Sequence, residues 1–222
     1  MTNTVNIPDL GDPLLWYETG IHVGDGSMGV YDKSTYVYGI YGNNKTERKF
    51  FNATLIPTVN HLYGIKPVLR NNGNTCMIIM HSKHLVMFKN KILGLPLGPK
   101  NKIKLPNFIA KNGTDAICYF IAGLFDTDGQ VKITKKDYVH LRITQKDEDL
   151  LAEIKNFLGM QSVPSCLYKH DYFDVRVNKV ERRWFLEING SKNVKAFLEL
   201  IPIRNPCYLK KLERFFSGRA RG

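Results

Sequence analysis

At 222 residues with 43% hydrophobic side chains, the chain can bury a substantial core as one large domain or two small ones, and nothing in it reads as disordered. Lysine and arginine number 32 against 20 aspartate and glutamate, a net charge of +12 that suits a polyanionic partner, nucleic acid first and a membrane surface second. No apolar run approaches the ~18 residues of a membrane span, the start MTNTVNIPDL lacks the marks of a secretory signal, and Cys76, Cys118, Cys166 and Cys207 form no CxxC pair. A protein of the cytoplasm or an organellar matrix, with reduced and mostly buried thiols, is the expectation.

In chain order, Asp12 followed by Pro13 reads as an N-cap with proline at the first helical position. That helix closes on ETGIHVGDG, Glu18 to Gly26, where glycine supplies the left-handed conformation of a helix stop. LGLPLGPKNKIKLPNF, Leu93 to Phe108, is rich in proline and lysine and reads as a linker. Thr114 and Asp115 then open a second helix, which closes on IAGLFDTDG, Ile121 to Gly129. After it, QVKIT and YVHLRITQ alternate as half-buried strands do, with Val131, Ile133, Val139, Leu141 and Ile143 toward a core. Gln130, Lys132, Thr134, His140, Arg142 and Thr144 fall on the opposite, accessible face. YFDVRVNKV and ERRWFLEIN continue the sheet, with Asp174, Arg176 and Asn178 alternating against Phe173, Val175 and Val177.

The two nonapeptides expose an internal repeat. Sliding Asp25 onto Asp128 lays TGIHVGDGSMGV over AGLFDTDGQVKI, and Tyr36, Tyr38 and Ile40 over Val139, Leu141 and Ile143. After a small drift, SKHLVMF from Ser82 lies over SKNVKAF from Ser191. An α+β fold follows, of two pseudo-symmetric αββαββα units: residues 1–94, a linker over 95–112, and residues 113–222. Gly20 with Gly24, and Gly123 with Thr127, give each motif helix a small-residue face where a second backbone can approach. Packing the helices together there brings Asp25 and Asp128 to one place, at helix ends that are themselves partly negative. A cation must neutralise them, and carboxylates with backbone carbonyls such as those of Gly24 and Thr127 suit Mg²⁺ or Mn²⁺ rather than zinc. Metals so placed stabilise the attacking and leaving oxygens of phosphoryl transfer. His81 and His84 stand at HxxH spacing without an acidic or thiol partner, which favours a surface or capping role.

IAGLFDTDG closely resembles the LAGLIDADG motif of homing endonucleases, and ETGIHVGDG is a weaker match, with Thr19 and His22 off-pattern. Through the repeat, the resemblance covers nearly the whole chain. It implies a monomer of the single-chain, intron-encoded type whose two sheets form a saddle in the major groove of double-stranded DNA, at a long asymmetric recognition site. It further implies Asp25 and Asp128 as metal ligands hydrolysing both strands, with Mg²⁺ as cofactor, Mn²⁺ as substitute and Ca²⁺ binding without cleavage. A polar residue ending the second strand and a lysine from the strand-to-linker region are expected near the scissile phosphate. Gln145 fits the first role; its counterpart in the first copy is Gly42 at the strict offset, or Asn43 or Asn44 after a shift. For the lysines, KNKIKLP offers Lys102 or Lys104, and CYLKKL offers Lys210 or Lys211, each with generic phosphate attraction as the bland alternative. Lys132, Thr134, Lys136, His140, Arg142, Thr144 and Arg176, with Arg70 from the first copy, are the expected DNA contacts. The competing readings are an RNA maturase and a DNA-binding regulator that does not cut. An intein is disfavoured, because neither MTNTV nor SGRARG carries protein-splicing residues.

Overall fold

The computed structural model describes residues 5–100, 103–134, 138–175 and 178–219. Helix α1 (Pro13–Asp25) begins as the sequence suggests, the Asp12 side chain accepting the Leu14 amide at 2.8 Å. The hairpin β1 (Gly26–Tyr31) and β2 (Thr35–Asn43) follows, then α2 (Arg48–Phe50), which passes through a π-helical stretch, Phe51–Leu55, into α3 (Ile56–Tyr63). A second hairpin, β3 (Arg70–Asn72) and β4 (Thr75–His81), leads to α4 (Lys83–Met87), capped by Ser82 and continued by a π-helical stretch, Phe88–Ile92. The expected linker contains a short helix, α5 (Asn107–Lys111). The pattern then repeats: α6 (Gly113–Asp128), β5 (Gly129–Ile133), β6 (Val139–Gln145), α7 (Glu148–Met160), β7 (Cys166–Asp174), β8 (Lys179–Asn189), α8 (Ser191–Leu200) and α9 (Pro206–Arg219).

The two four-stranded antiparallel sheets run β1-β2-β4-β3 and β5-β6-β8-β7, the same order in each unit. One face of each meets the helices through Met28, Tyr38, Ile40, Cys76, Ile78 and Met80, and through Val131, Leu141, Ile143, Leu186 and Ile188. The alternate residues form two uncovered faces. Two sequence expectations change. Gly26 and Gly129 are extended, with φ of −81° and −86°, so a left-handed stop is not why glycine stands there. A Cβ on Gly26 would lie 2.5 Å from His22 Nδ1, and one on Gly129 2.1 Å from the Phe125 carbonyl oxygen: the strand turns off too sharply for a side chain. The hairpin of β7 and β8 also lies earlier than expected. β7 ends at Asp174, and Val175 and Asn178 belong to the turn, Asn178 at φ 51°. Asparagine tolerates that left-handed conformation, and the alternation of apolar and polar residues runs through the turn unchanged, so pattern alone could not locate it.

α1 and α6 cross at Gly20 and Gly123. A Cβ on Gly20 would sit 2.1 Å from the Phe120 carbonyl oxygen, and one on Gly123 1.9 Å from that of Tyr17. The Tyr17 hydroxyl crosses between the units to donate to Asp126 Oδ2 at 2.6 Å. Beneath the first sheet, Glu18 accepts from the Tyr38 hydroxyl, from the Tyr63 hydroxyl at 2.9 Å and from Lys89 Nζ at 2.5 Å, all fully buried. The Lys89 charge lies over both tyrosine rings, so this buried pair is fully supplied with partners.

Candidate catalytic centre

Asp25 and Asp128 end the crossed helices on the same side: a Cβ on Gly24 would lie 3.0 Å from Asp128 Oδ2. Both carboxyls titrate high. Asp25 is pushed up to about 8, by burial first and then by the charges of Asp128 and Glu47, with Lys100 opposing. Asp128 is pushed up to about 6 by burial, against the pull of Lys100, the Gln145 hydrogen bond and Arg183. Burial is the largest cause for both, and the neighbouring carboxylates add to it.

Lys100, in the linker, binds the end of α1. Its Nζ donates to the carbonyls of His22 at 2.9 Å, Val23 at 2.8 Å and Gly24 at 2.6 Å. Burial lowers its pKa, while Asp128 and Asp25 draw it back up. The Gly24 carbonyl expected to face a metal is thus held by an ammonium group. Gln145 Nε2 donates to Asp128 Oδ2 at 2.5 Å, which puts Gln145 beside the acid pair. Gly24, Lys100, Asp128 and Gln145, with Asp147 and Arg183, line a cleft of about 200 Å³.

The first unit solves the matching position differently. Gly42 has no side chain to offer, and a Cβ there would lie 2.8 Å from Glu47 Oε2 and 2.6 Å from the Phe51 ring. Glu47 fills the space, accepting the Asn43 amide, and its own pKa is raised by burial. Asn43 Oδ1 is spent on the amides of Lys45 and Thr46, and Asn44 Oδ1 on Arg48 at 3.1 Å. The centre is therefore asymmetric, with an amide on Asp128 and a carboxylate near Asp25.

Of the other lysines expected here, Lys104 is exposed and 3.7 Å from Asp149, Lys210 is exposed, and Lys102 lies outside the described residues. Lys211 Nζ donates to the Val131 carbonyl at 2.5 Å, which ties α9 to β5. Lys100 and Glu47 were missed in the sequence. Lys100 opens the very stretch KNKIKLP, but only docking onto α1 separates it from its neighbours.

On the uncovered second face, Arg142 is clamped by Glu187, with Nε to Oε1 at 2.7 Å, and lies 4.4 Å from the Phe185 ring centroid. Lys132 and Thr134 are exposed and Thr144 half-buried. His140, expected to be accessible, is only 9% exposed; it sits beside the Tyr138 ring. Arg70 is exposed on the edge strand of the first sheet, while Lys136 and Arg176 lie outside the described residues. Cys76 and Cys118 are buried, Cys166 and Cys207 exposed, and all four are free. No helix among the described residues is long and apolar enough to cross a membrane.

Among the described residues, no three of His, Cys, Asp and Glu gather closely enough to hold a metal by themselves. The donor set nevertheless fits a hard divalent cation. Two crowded carboxylates with raised pKa values gain most from a positive charge between them, their remaining ligands being carbonyls, water or phosphate oxygens.

Residues 115–202 match the model of the LAGLIDADG-like domain. The ATP-dependent DNA helicase Hel308 of Methanocaldococcus jannaschii is 23% identical over 224 residues, which take in 93% of this chain and 17% of that protein. This chain thus spans under a fifth of that relative. In fold, the chain is similar to the homing endonuclease I-DmoI in complex with DNA and Ca, with a TM-score of 0.61 and 18% identity over 93% of this chain and 100% of that one. It is also similar to full-length DUF199/WhiA from Thermatoga maritima, with a TM-score of 0.52 and 16% identity over 97% and 63% of the two chains.

Proposed function

Because the chain has the LAGLIDADG fold with both motifs in one polypeptide, we propose that it is a divalent-metal-dependent endonuclease cutting both strands of duplex DNA at a long asymmetric site. The observation that carries this reading is the pair of aspartates, raised to about 8 and about 6, at the meeting of two helix ends. WhiA shares the fold, so fold alone does not separate cutting from binding. The acids favour cutting, because two crowded carboxylates beside a polyanion are of most use to a protein that holds a cation there.

Asp25 and Asp128 would hold Mg²⁺ or Mn²⁺, with Ca²⁺ binding but not supporting cleavage. When bound, the cation supplies positive charge to the attacking and leaving oxygens of the scissile phosphate. This chain's own groups do the rest. Gln145 orients Asp128 and offers its amide to water in the cleft. Lys100, its three N–H groups given to the end of α1, supplies its charge rather than a hydrogen bond to the developing negative charge. The uncovered sheet faces flank the acids and carry the DNA contacts, with the net charge of +12 drawing the duplex in.

Incubating the protein with a plasmid library of random inserts, with and without Mg²⁺, tests the reading directly. Double-strand cuts at one recovered sequence, dependent on metal, are expected; DNA recovered bound but uncut with Mg²⁺ and Mn²⁺ alike would leave a binding protein. Lys100→Met should slow cutting by about 10²-fold or more, the usual scale for one charge-stabilising group. Lys104→Met and Lys210→Met should change it by less than about threefold. Single-turnover rates at saturating protein make the comparison.

Arg142 is aimed by Glu187 rather than free, which suits a bidentate contact to guanine. Arg142→Ala should relax preference at one or two base pairs of a half-site and weaken binding by about 1–3 kcal/mol. Selected sites whose preferences match the wild type would return Arg142 to the generic basic surface.

A further inference from the structure

The two uncovered sheet faces have unlike chemistry. On the second, Arg142 pairs with Glu187, Lys146 with Glu181, and Arg183 lies over the Tyr172 ring. On the first, the only side chain with a full charge in all four strands is Arg70, at the edge. The centre of its uncovered face is built from Val37, Tyr41, Met77 and Ile79, all half-buried, with the neutral polar side chains of Ser27, Thr35, Asn43, Asn72, Thr75 and His81 around them. Two glycines keep it flat. The Tyr41 ring lies over Gly39, its atoms 2.8 to 3.0 Å from where a Cβ would be, and the Tyr31 ring lies over Gly29 at 3.4 to 3.5 Å. Any side chain at Gly39 would lift the Tyr41 ring.

We propose that the first sheet reads its half of the DNA site through thymine methyl groups, using Val37, Tyr41, Met77 and Ile79, whereas the second reads its half through charged hydrogen bonds. This rests on the reading of the chain as a DNA endonuclease, since the occupant of the first face is the continuation of the duplex held by the second. In the major groove, thymine is the one base with an apolar group at its edge, while guanine and cytosine present only donors and acceptors. A neutral, apolar face pressed onto G·C pairs leaves those polar edges without water or partner. An A·T pair also presents polar atoms, adenine N7 and N6 and thymine O4, but there the same face buries the thymine methyl as well, a gain that no G·C pair returns. The four residues lie on two neighbouring strands in register, Gly39 beside Ile79 and Tyr41 beside Met77, so apolar groups recur along each strand about every 6.6 Å, two base-pair steps.

The test starts from the duplex that intact protein selects out of a random DNA pool in EDTA, where nothing is cut. The half whose preferences change in Arg142→Ala is assigned to the second sheet, and the other half should be rich in thymine. Replacing each of those thymines by deoxyuridine removes only the methyl, and should weaken binding about fourfold per site, the worth of one buried CH₂. Deoxyuridine in the Arg142 half should cost less than about twofold. In Ile79→Ala and Met77→Ala, one thymine each should stop mattering, which separates contact from any change in DNA stiffness. Equal deoxyuridine effects in both halves, or effects that persist unchanged in both variants, would overturn the inference while leaving the endonuclease reading intact. Failure to select any duplex would overturn that reading, and this inference with it.

Discussion

Asp25→Asn and Asp128→Asn should each abolish double-strand cutting, lowering the single-turnover rate by about 10³-fold or more, while binding to the selected duplex stays within about threefold. Each carboxylate supplies charge to the shared cation position, and neither lies on a sheet face that meets bases. Full-rate cutting by either variant would remove the acid pair from the mechanism. The same substitutions carry a second consequence for the metal-free protein. Asp25, with an ordinary value of 3.8, is pushed up to about 8 in the fold, and Asp128 to about 6. A folded-state pKa above the unfolded one means the folded protein binds the proton more tightly. The stability this contributes is present in acid, below the unfolded value near 4, and is lost as pH rises through 6 and then 8. Thermal melts in EDTA should therefore show Tm falling from pH 5 to pH 8, with a shallower fall for Asp25→Asn, and Mg²⁺ should raise Tm more at pH 8 than at pH 5. A wild-type Tm that climbs over that range would contradict the crowding of the two acids.

The other large effect belongs to the helix crossing. Gly20→Ala and Gly123→Ala should each destabilise the protein by more than about 3 kcal/mol, at or above the range of ordinary overpacking. The added methyl meets no flexible side chain that could swing aside: the obstacles are the Phe120 carbonyl oxygen and Leu124 amide in one case, and the Tyr17 carbonyl oxygen and Ile21 amide in the other. Relief requires separating the helices, which also separates the acids, so cutting should fall with stability. Denaturant melts near wild type for both variants would mean that the helices do not touch there. Gly159→Ala, where nothing stands within 4 Å of the new Cβ, is the matched control and should leave the melt unchanged.

Much of this was legible in the sequence because it is written in local spacing. Residues four apart share a helix face, so Gly20, Gly24, Gly123 and Thr127 announce a close crossing, and the acid one residue later must follow. The sheet cores could be read by alternation, and Gln145 fell at the end of its strand by counting. What stayed hidden depends on distance along the chain or on ambiguity within a pattern. Lys100 acts on carbonyls of residues 22 to 24, and its neighbouring lysines have the same local context. Glu47 does the work of an absent side chain at Gly42, through a turn that no periodicity describes. His140 fell on the expected face, yet its burial could not be foreseen from alternation.

The Tyr17 to Asp126 hydrogen bond bears on which halves can be partners at all. The glycine contacts are made to backbone atoms, so any two helices with the right small residues could satisfy them. Asp126 is more demanding, since it is fully buried and its Oδ1 already lacks a hydrogen bond among the described residues. Were two second units to mate with each other in the same geometry, the repeat would set Phe120 where Tyr17 now stands. Each Asp126 would then lose its phenol donor and keep only the Arg204 amide on Oδ2, at about 0.5–1.5 kcal/mol for each hydrogen bond lost. The lost bond makes self-association a poor competitor to the native pairing. Heterologous assembly is thus encoded in a hydroxyl group as well as in the covalent linker, and a chain nicked between its halves would still know which surface is its mate.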